Sequence, residues 1–402
     1  MQALTGYLFP NDIHIHWSLM IVMYPYITGL VAGAFVVSSL YHVFGREELK
    51  PVGRFALTAS FSFLLFATFP LLNHLGHPER ALNIVVTPHF TSAMAGFGIL
   101  YASYFLIVLL EMWFVFRVDI IHRAASSRGL KRHAYAALAL FTYDDSPRAQ
   151  EIDHAVVRVL AALGIPMACF LHGYVGFLFG ALKSNPWWST PLMPVIFLFS
   201  AMVSGIAVLI ILYQVAMKLK GLEIDQRAIA AMARWLWLFM IMSISLELLE
   251  IITLAYEKSV VWEVVGTLLV NQLSVSFITV QMVIGGLVPF ILLMITVIMD
   301  RYLHAKLRSA LTLISSILLL IQVLSMRWNV VIGGQMFSKS LRGFREAYSP
   351  GLFEKEGVLA AIVIFCLPFV VLAVLERILP NFDHLGREEH AERLEAPARK
   401  AG

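Results

Sequence analysis

Glu247 and Glu250 stand three residues apart inside the apolar run 235–256, so a helix presents both carboxylates on one face. Ser243 lies one turn before Glu247 on the same stripe. An ionisable side chain inside such a run is costly to hold, which makes each one a site candidate. Others are few. His172 lies within 156–182 and Glu111 within 91–116; Asn73 and His74 close 55–73; Gln281 lies within 272–299; Arg327 and Asn329 follow 309–326. Carboxylates and an imidazole gathered near one face suit the reduction of a quinone, which takes up two electrons and two protons. A His or Glu at the carbonyl oxygens can hydrogen-bond the head group and relay the protons. A carboxyl group out of water holds its proton more readily, so it can rest neutral and still exchange. The plain structural alternative is a polar clamp between helices, with no turnover.

The elements that must position these residues follow from composition. Over 402 residues the chain is 59% hydrophobic and 14% charged, against about 25% charged in a soluble domain. Its mean hydropathy is +0.79. Soluble enzymes and disordered chains are excluded, and the expected fold is an all-α polytopic membrane protein. A span needs about 20 mostly apolar residues. Nine such runs can be read, at 17–44, 55–73, 91–116, 156–182, 191–217, 235–256, 272–299, 309–326 and 357–376. They are continuous rather than alternating, which favours helices over a barrel. The first run is too long for a cleaved signal peptide and is expected to remain in the mature protein.

Lys and Arg set the orientation. With the N-terminus outside, the inside segments 45–54, 117–158, 218–234, 300–308 and 377–402 carry 22 of the 30 basic residues, and the outside segments carry the other 8. On this reading no basic residue is left within the membrane. The inside excess accounts for the net charge of +4, with no need of nucleic acid. The outer half or outer surface then holds Glu247, Glu250, His172, His74 and Arg327, and the expected quinone pocket lies between spans two, three, four and six. Glu111 falls in the inner half. There it is expected to reach the inner surface from the last turns of its helix; otherwise it begins a cytoplasmic proton route continued by Ser243 and Ser245.

Spans one and five match without a gap: residues 29–43 and 201–215 are identical at six of fifteen positions, including Gly33/Gly205 and Tyr41/Tyr213. Both spans run in the same sense, so the expected architecture is two parallel four-helix repeats, 1–182 and 183–326, then an outer-face loop, 327–356, and a last helix with a cytoplasmic tail, 357–402. The alternative is coincidence among small-residue helix contacts. An integral b-type haem needs two axial histidines at one depth. Only His172 lies well inside a run, so no haem is expected. Two cysteines, Cys169 and Cys366, cannot hold a four-Cys iron–sulfur cluster. HExxH spacing and a Walker-type loop are absent, so no metal site is expected.

The outer segments 75–90 and 327–345 are apolar enough to dock a partner or lie on the bilayer. Together with Gly29-Leu-Val-Ala-Gly33, the run Asn73-His-Leu-Gly-His-Pro-Glu-Arg80, Pro88 with Thr91-Ser-Ala-Met-Ala-Gly96, Leu171-His-Gly173, Trp187-Trp-Ser-Thr-Pro-Leu-Met-Pro194 and Arg327-Trp-Asn329, they carry a resemblance to a known family. The chain resembles the NrfD/PsrC membrane subunits of respiratory oxidoreductases. It is most similar to the longer members, such as those of menaquinone reductase and periplasmic hydrogenase complexes. The resemblance covers most of the chain. It implies a bacterial inner-membrane subunit with a periplasmic N-terminus and cytoplasmic C-terminus, free of haem and iron–sulfur clusters of its own. It would bind a quinone, menaquinone by family, and exchange electrons with an extracytoplasmic ferredoxin-like iron–sulfur subunit, itself joined to a molybdopterin-type or multihaem cytochrome subunit. Carried over, His172 would be the quinone-site histidine, with His74, Asn73, Arg327 and Tyr174 around it, and Glu247 or Glu250 the protonatable partner. Asn73-His74 stands where the family has an acidic residue before Leu-Gly, and Tyr24 lies where the short members have a histidine.

Two other classes compete. A secondary transporter would use the repeat and the buried carboxylates for a coupling ion, yet the breakers Gly164 and Pro166 in span four have no counterpart in span eight. A purely structural anchor needs no intramembrane carboxylates. The topology is directly checkable: reporter fusions after Arg132 and after Lys355 are expected on opposite sides of the membrane, and a periplasmic signal after Arg132 would reverse the orientation.

Overall fold

The computed structural model describes residues 14–338, 340–379 and 381–382. Among these residues nine helical segments are long and apolar enough to cross a membrane. They are α1 Leu19–His42, α2 Glu47–His74, α3 Ala93–Ser126, α4 Pro147–Gly180, α5 Met193–Lys220, α6 Gln226–Glu257, α7 Ser274–Ile298, α8 Ala305–Met336 and α9 Val358–Ile378. Nearly all described structure is helical, as lipid requires of a backbone that has no water to bond.

Local sequence sets the ends. Ser18 caps α1, accepting from the Met20 N–H at 3.2 Å. Ser146 caps α4 ahead of Pro147, and Asp225 caps α6 through the N–H groups of Arg227 and Ala228. α5 stops at Gly221, whose φ of 67° closes the last turn. α2 is interrupted after Phe66 and resumes at Phe69, just before Pro70.

α1 is apolar on every side, the signature of a helix surrounded by protein. It packs against α2, α4, α5 and α8; α3 lies on α4, α6 between α5 and α7, and α9 beside α2. The deepest crossing is α1 on α5, where Gly33 and Gly205 meet backbone to backbone. The aligned glycines of the two matching segments are thus direct neighbours. The two-repeat division stands as a proposal which that meeting supports.

The helices overrun the apolar runs at several ends, among them those of α2, α3, α4, α6 and α8. α3 and α4 each continue about ten residues past the run because their charges pair. Arg117 Nε donates to Asp153 Oδ1 and Oδ2 at 2.9 and 2.7 Å, and Arg54 bonds Asp119 while stacking over Phe116. Much of 117–158, read as an inside segment, is therefore helix. α8 runs on to Met336, so the outer loop expected from 327 loses its first ten residues to the fold. Arg327 is 1% exposed; the expectation that no basic residue stays inside the membrane is corrected, because this guanidinium stacks on an aromatic ring instead of reaching water.

The crossing is testable. A Cβ added at Gly33 would lie 2.6 Å from Ile206 N and Met202 O, backbone atoms that cannot move aside. Gly33→Ala is expected to destabilise by about 1–3 kcal/mol, the range for overpacked cores, seen as a lower thermal midpoint in detergent. Gly173→Ala, whose Cβ would meet nothing closer than Pro194 O at 3.9 Å, should leave the midpoint unchanged.

Candidate functional site

The face bearing the start of α1 gathers polar groups from distant parts of the chain. His74 Nδ1 lies 2.7 Å from Glu356 Oε2, and Ser18 Oγ donates to the same oxygen. Asn73 Nδ2 donates to the Lys355 carbonyl at 2.7 Å, and Lys355 Nζ to the Leu75 carbonyl at 3.2 Å. These bonds tie the end of α2 to the segment that leads into α9. Beside them a groove of about 620 Å³ runs between α2 and α9, walled by Phe69, Leu72, Phe353, Leu359 and Val363, with Asn73, Glu354 and Lys355 at its polar end. Its size is that of a small-molecule site. Its walls are apolar, and its polar end offers an amide, a carboxylate and an ammonium, with the imidazole–carboxylate pair next to them in the chain.

A second centre lies between α6, α7 and α8. Glu247 Oε2 accepts from Gln281 Nε2 at 2.9 Å, Ser243 Oγ donates to Oε1 at 3.3 Å, and Gln322 Nε2 stands 3.4 Å from both oxygens. The amides form a chain: Ser276 Oγ donates to Asn329 Oδ1 at 2.6 Å, and Asn329 Nδ2 donates to Gln281 Oε1 at 2.7 Å. Residues 274–287 of α7 and 329–333 of α8 are wound in the wider π form, which bonds each N–H five residues back. Such turns are rare and gather at functional sites; here they carry Ser276, Gln281 and Asn329. Glu250 lines a cavity of about 30 Å³ with Glu247, Trp187, Phe277 and Met326. Its Oε1 meets no partner among the described residues. That cavity has room for a water molecule or two, not for a quinone ring.

His172 belongs to neither centre. Its Nδ1 is 2.6 Å from the Ala168 carbonyl and its Nε2 is 2.5 Å from the Thr28 carbonyl, so the ring joins α4 to α1. Tyr174 Oη donates to the Ala93 carbonyl at 2.9 Å, holding α4 to the start of α3. Arg327 lies over the Phe197 ring at 3.8 Å and donates to Ser200 Oγ at 2.7 Å. The expected single pocket between spans two, three, four and six is therefore corrected. Asn73 lines the groove with His74 next to it in the chain and bonded to Glu356, Glu247 and Glu250 face α7 and α8, and His172 is enclosed between helices.

Glu111 is fully buried in the middle of α3, and neither oxygen meets a hydrogen-bond partner among the described residues. The expectation that it reaches the inner surface is corrected: α3 continues to Ser126, so Glu111 is four turns from the helix end. Ser245, expected beside Ser243 on a hydroxyl chain, is exposed on the opposite side of α6. Sequence reasoning passed over Gln322, although an amide inside an apolar run was a usable signal. It also missed Glu356 and Lys355, for which only contacts across 280 residues or more give a sign.

The family model described as "Polysulphide reductase, NrfD" matches residues 10–339. The chain belongs to the NrfD family. It is 34% identical over 218 residues to a selenate reductase subunit of Mesobacillus selenatarsenatis, an alignment covering 53% of this chain and 50% of that protein. It is 28% identical over 201 residues to protein NrfD of Escherichia coli, covering 48% and 58% respectively. The Hdr-like menaquinol oxidoreductase integral membrane subunit of Archaeoglobus fulgidus aligns at 23% identity over 381 residues, 91% of this chain and 85% of that protein. This NrfD chain thus spans about half the length of the selenate reductase protein, and nearly all of the archaeal one.

The His172 geometry gives a direct expectation. His172→Ala removes the ring that links α1 to α4, and with it the one N–H that a neutral imidazole donates to the Thr28 or the Ala168 carbonyl. A loss of about 1–3 kcal/mol follows from uncovering a buried acceptor, to be read as a lower thermal midpoint of the purified chain. An unchanged midpoint would mean that the ring holds nothing together.

Proposed function

We propose that this chain is the quinone-exchanging membrane subunit of a respiratory reductase complex, with the quinone ring seated in the groove between α2 and α9. The observation that carries this reading is the groove itself. Its volume of about 620 Å³ suits a ring with the first part of a tail, its apolar walls suit a molecule arriving through lipid, and its polar end offers Asn73, Glu354 and Lys355, with the His74–Glu356 pair next to them in the chain. Asn73 would orient a carbonyl oxygen. His74, with Glu356 as its partner, would hold or move a proton there. Bound quinone supplies the two-electron chemistry; these side chains supply position and proton exchange. The menaquinol named for the archaeal relative supports menaquinone as the quinone.

The groove opens on the face that the basic-residue asymmetry assigns to the outside of the inner membrane, with the N-terminus periplasmic and the C-terminus cytoplasmic. The segment between α2 and α3 exposes apolar side chains, Leu82 at 73%, Val86 at 73% and Phe90 at 83%, and Phe353 of the groove itself is 82% exposed. A ferredoxin-like iron–sulfur subunit docked on them would bring its electrons to the groove. A molybdopterin-type or multihaem cytochrome subunit would lie beyond it. The buried carboxylates Glu111, Glu247 and Glu250 stand away from the groove and support proton movement across the membrane. Each charge carried is worth about 2.3 kcal/mol per 100 mV.

The test uses the purified complex with its partner subunits. His74→Ala is expected to lower quinone-linked turnover about 100-fold, the scale of a lost proton-transfer group. Assembly, and the partner's activity with a soluble artificial electron carrier, should be retained. Full quinone turnover in this variant would exclude the groove as the seat. Loss of assembly would assign His74 to the fold.

A further inference from the structure

After α3 ends at Ser126 the chain does not continue into solution. It turns at Gly129 and comes back along α3 as the short helix Leu130–Leu138. Two bonds fix how far it returns. Trp113 Nε1 donates to the Leu138 carbonyl at 2.8 Å, and Arg117 Nη1 donates to the Asp144 carbonyl at 2.9 Å. The turn 139–143 is therefore level with residues 113–117 of α3, where the apolar run gives way to charge. That is the depth at which tryptophan marks a membrane boundary.

The short helix closes with Leu140 N–H donating to the Ala137 carbonyl and Phe141 N–H to the Ala136 carbonyl, at 3.0 and 2.9 Å. This closure places its next residue in the left-handed region, where glycine is usual. Here both Leu140, with φ 51°, and Phe141, with φ 57°, occupy it. The backbone turn throws two large apolar side chains outward: Leu140 is 65% and Phe141 71% exposed, with Leu138 and Tyr143 about half exposed beside them. The helix is also polarised along its length. Arg128, Lys131, Arg132 and His133 lie at its distant start, where Leu130 is the one large apolar side chain exposed, and Leu138, Leu140, Phe141 and Tyr143 follow at its end. Trp113 belongs to a stripe on α3 with Leu110, Leu109 and Leu106 at helical spacing, all three exposed toward lipid.

We infer that Leu138, Leu140, Phe141 and Tyr143 form a wedge that enters the bilayer leaflet beside α3, its occupant being lipid at the boundary of headgroups and acyl chains. The wedge continues the lipid-facing stripe of α3, and the basic start of the helix stays in water. It clamps the overhanging ends of α3 and α4 to the membrane plane. Protein is the weaker candidate for this cover, because the patch borders lipid-facing leucines rather than the water-facing end of the hairpin.

The full-length chain, with Cys169→Ser and Cys366→Ser, is labelled with a nitroxide at Phe141→Cys or, for comparison, at Lys131→Cys. It is then placed in vesicles of phosphatidylethanolamine and phosphatidylglycerol. At position 141 collisions with oxygen should exceed those with a water-soluble nickel chelate several-fold, and at position 131 the order should reverse. An aqueous pattern at position 141 overturns the wedge. Shielding from both reagents also overturns it, because protein then covers the patch.

Discussion

Two backbones in contact at Gly33 and Gly205 fix the centre of this molecule. In lipid no water is expelled when apolar helices meet, so association depends on how closely backbones approach and how many atoms touch. Glycine on both sides of the α1–α5 crossing removes the side chains that would hold the axes apart. α1 is then buried on every side, and α2, α4 and α8 take their positions against it. A Cβ on either glycine would strike backbone rather than a flexible side chain, so the surrounding helices could not adjust locally.

The second constraint is that every polar group brought inside must find its partner within the protein. Arg327 does so in part and without a carboxylate in contact, lying on the Phe197 ring and donating to Ser200 while its Nε meets no partner among the described residues. A cation over an aromatic face recovers part of what it loses with its water. Glu247 does so through amides and a hydroxyl that point at it in sequence from Ser276 and Asn329 through Gln281. Aligned donors of this kind reinforce one another in a low-dielectric interior. Regular α-helical spacing would aim α7 and α8 differently, and the π turns at 274–287 and 329–333 supply the local rewinding. Glu111 and Glu250 lack such partners among the described residues. That contrast separates a carboxylate held by its neighbours from two that no described group holds.

Apolar runs made the spans legible, because length and hydropathy are local properties. The same reasoning stopped each helix at the first charge. It could not see that Arg117 would find Asp153 on the next helix, or that Arg327 would stay inside. The family resemblance and the Gly33/Gly205 match lay in short motifs and needed no packing knowledge. Which site residues share a place did not follow from depth. His172, Glu247 and His74 all fall toward one face, yet helix rotation sends the first to α1, the second to α7 and α8, and the third to the loop before α9. Rotation about a helix axis is encoded by contacts with other helices, and a single apolar run with no polar side says nothing of it. The groove escaped for a related reason: its two walls are about 280 residues apart in the chain.

Position assigns different work to the two polar centres. The groove stands at the rim, its far wall built by α9 and the segment before it, and α9 packs chiefly on α2. α9 also meets α1, Lys220 at the end of α5 pairs with Glu376 at 2.7 Å, and Asn73, His74 and Lys355 bond the segment before α9, so this wall is tied at both ends. The Glu247 centre is enclosed by α6, α7 and α8 and has no such wall. Admitting a ring there would break the amide chain that holds Glu247. On the proposed reading, quinone exchange falls to the groove at the rim, and the buried carboxylate network, with room only for water, to the movement of protons or to holding charge in place.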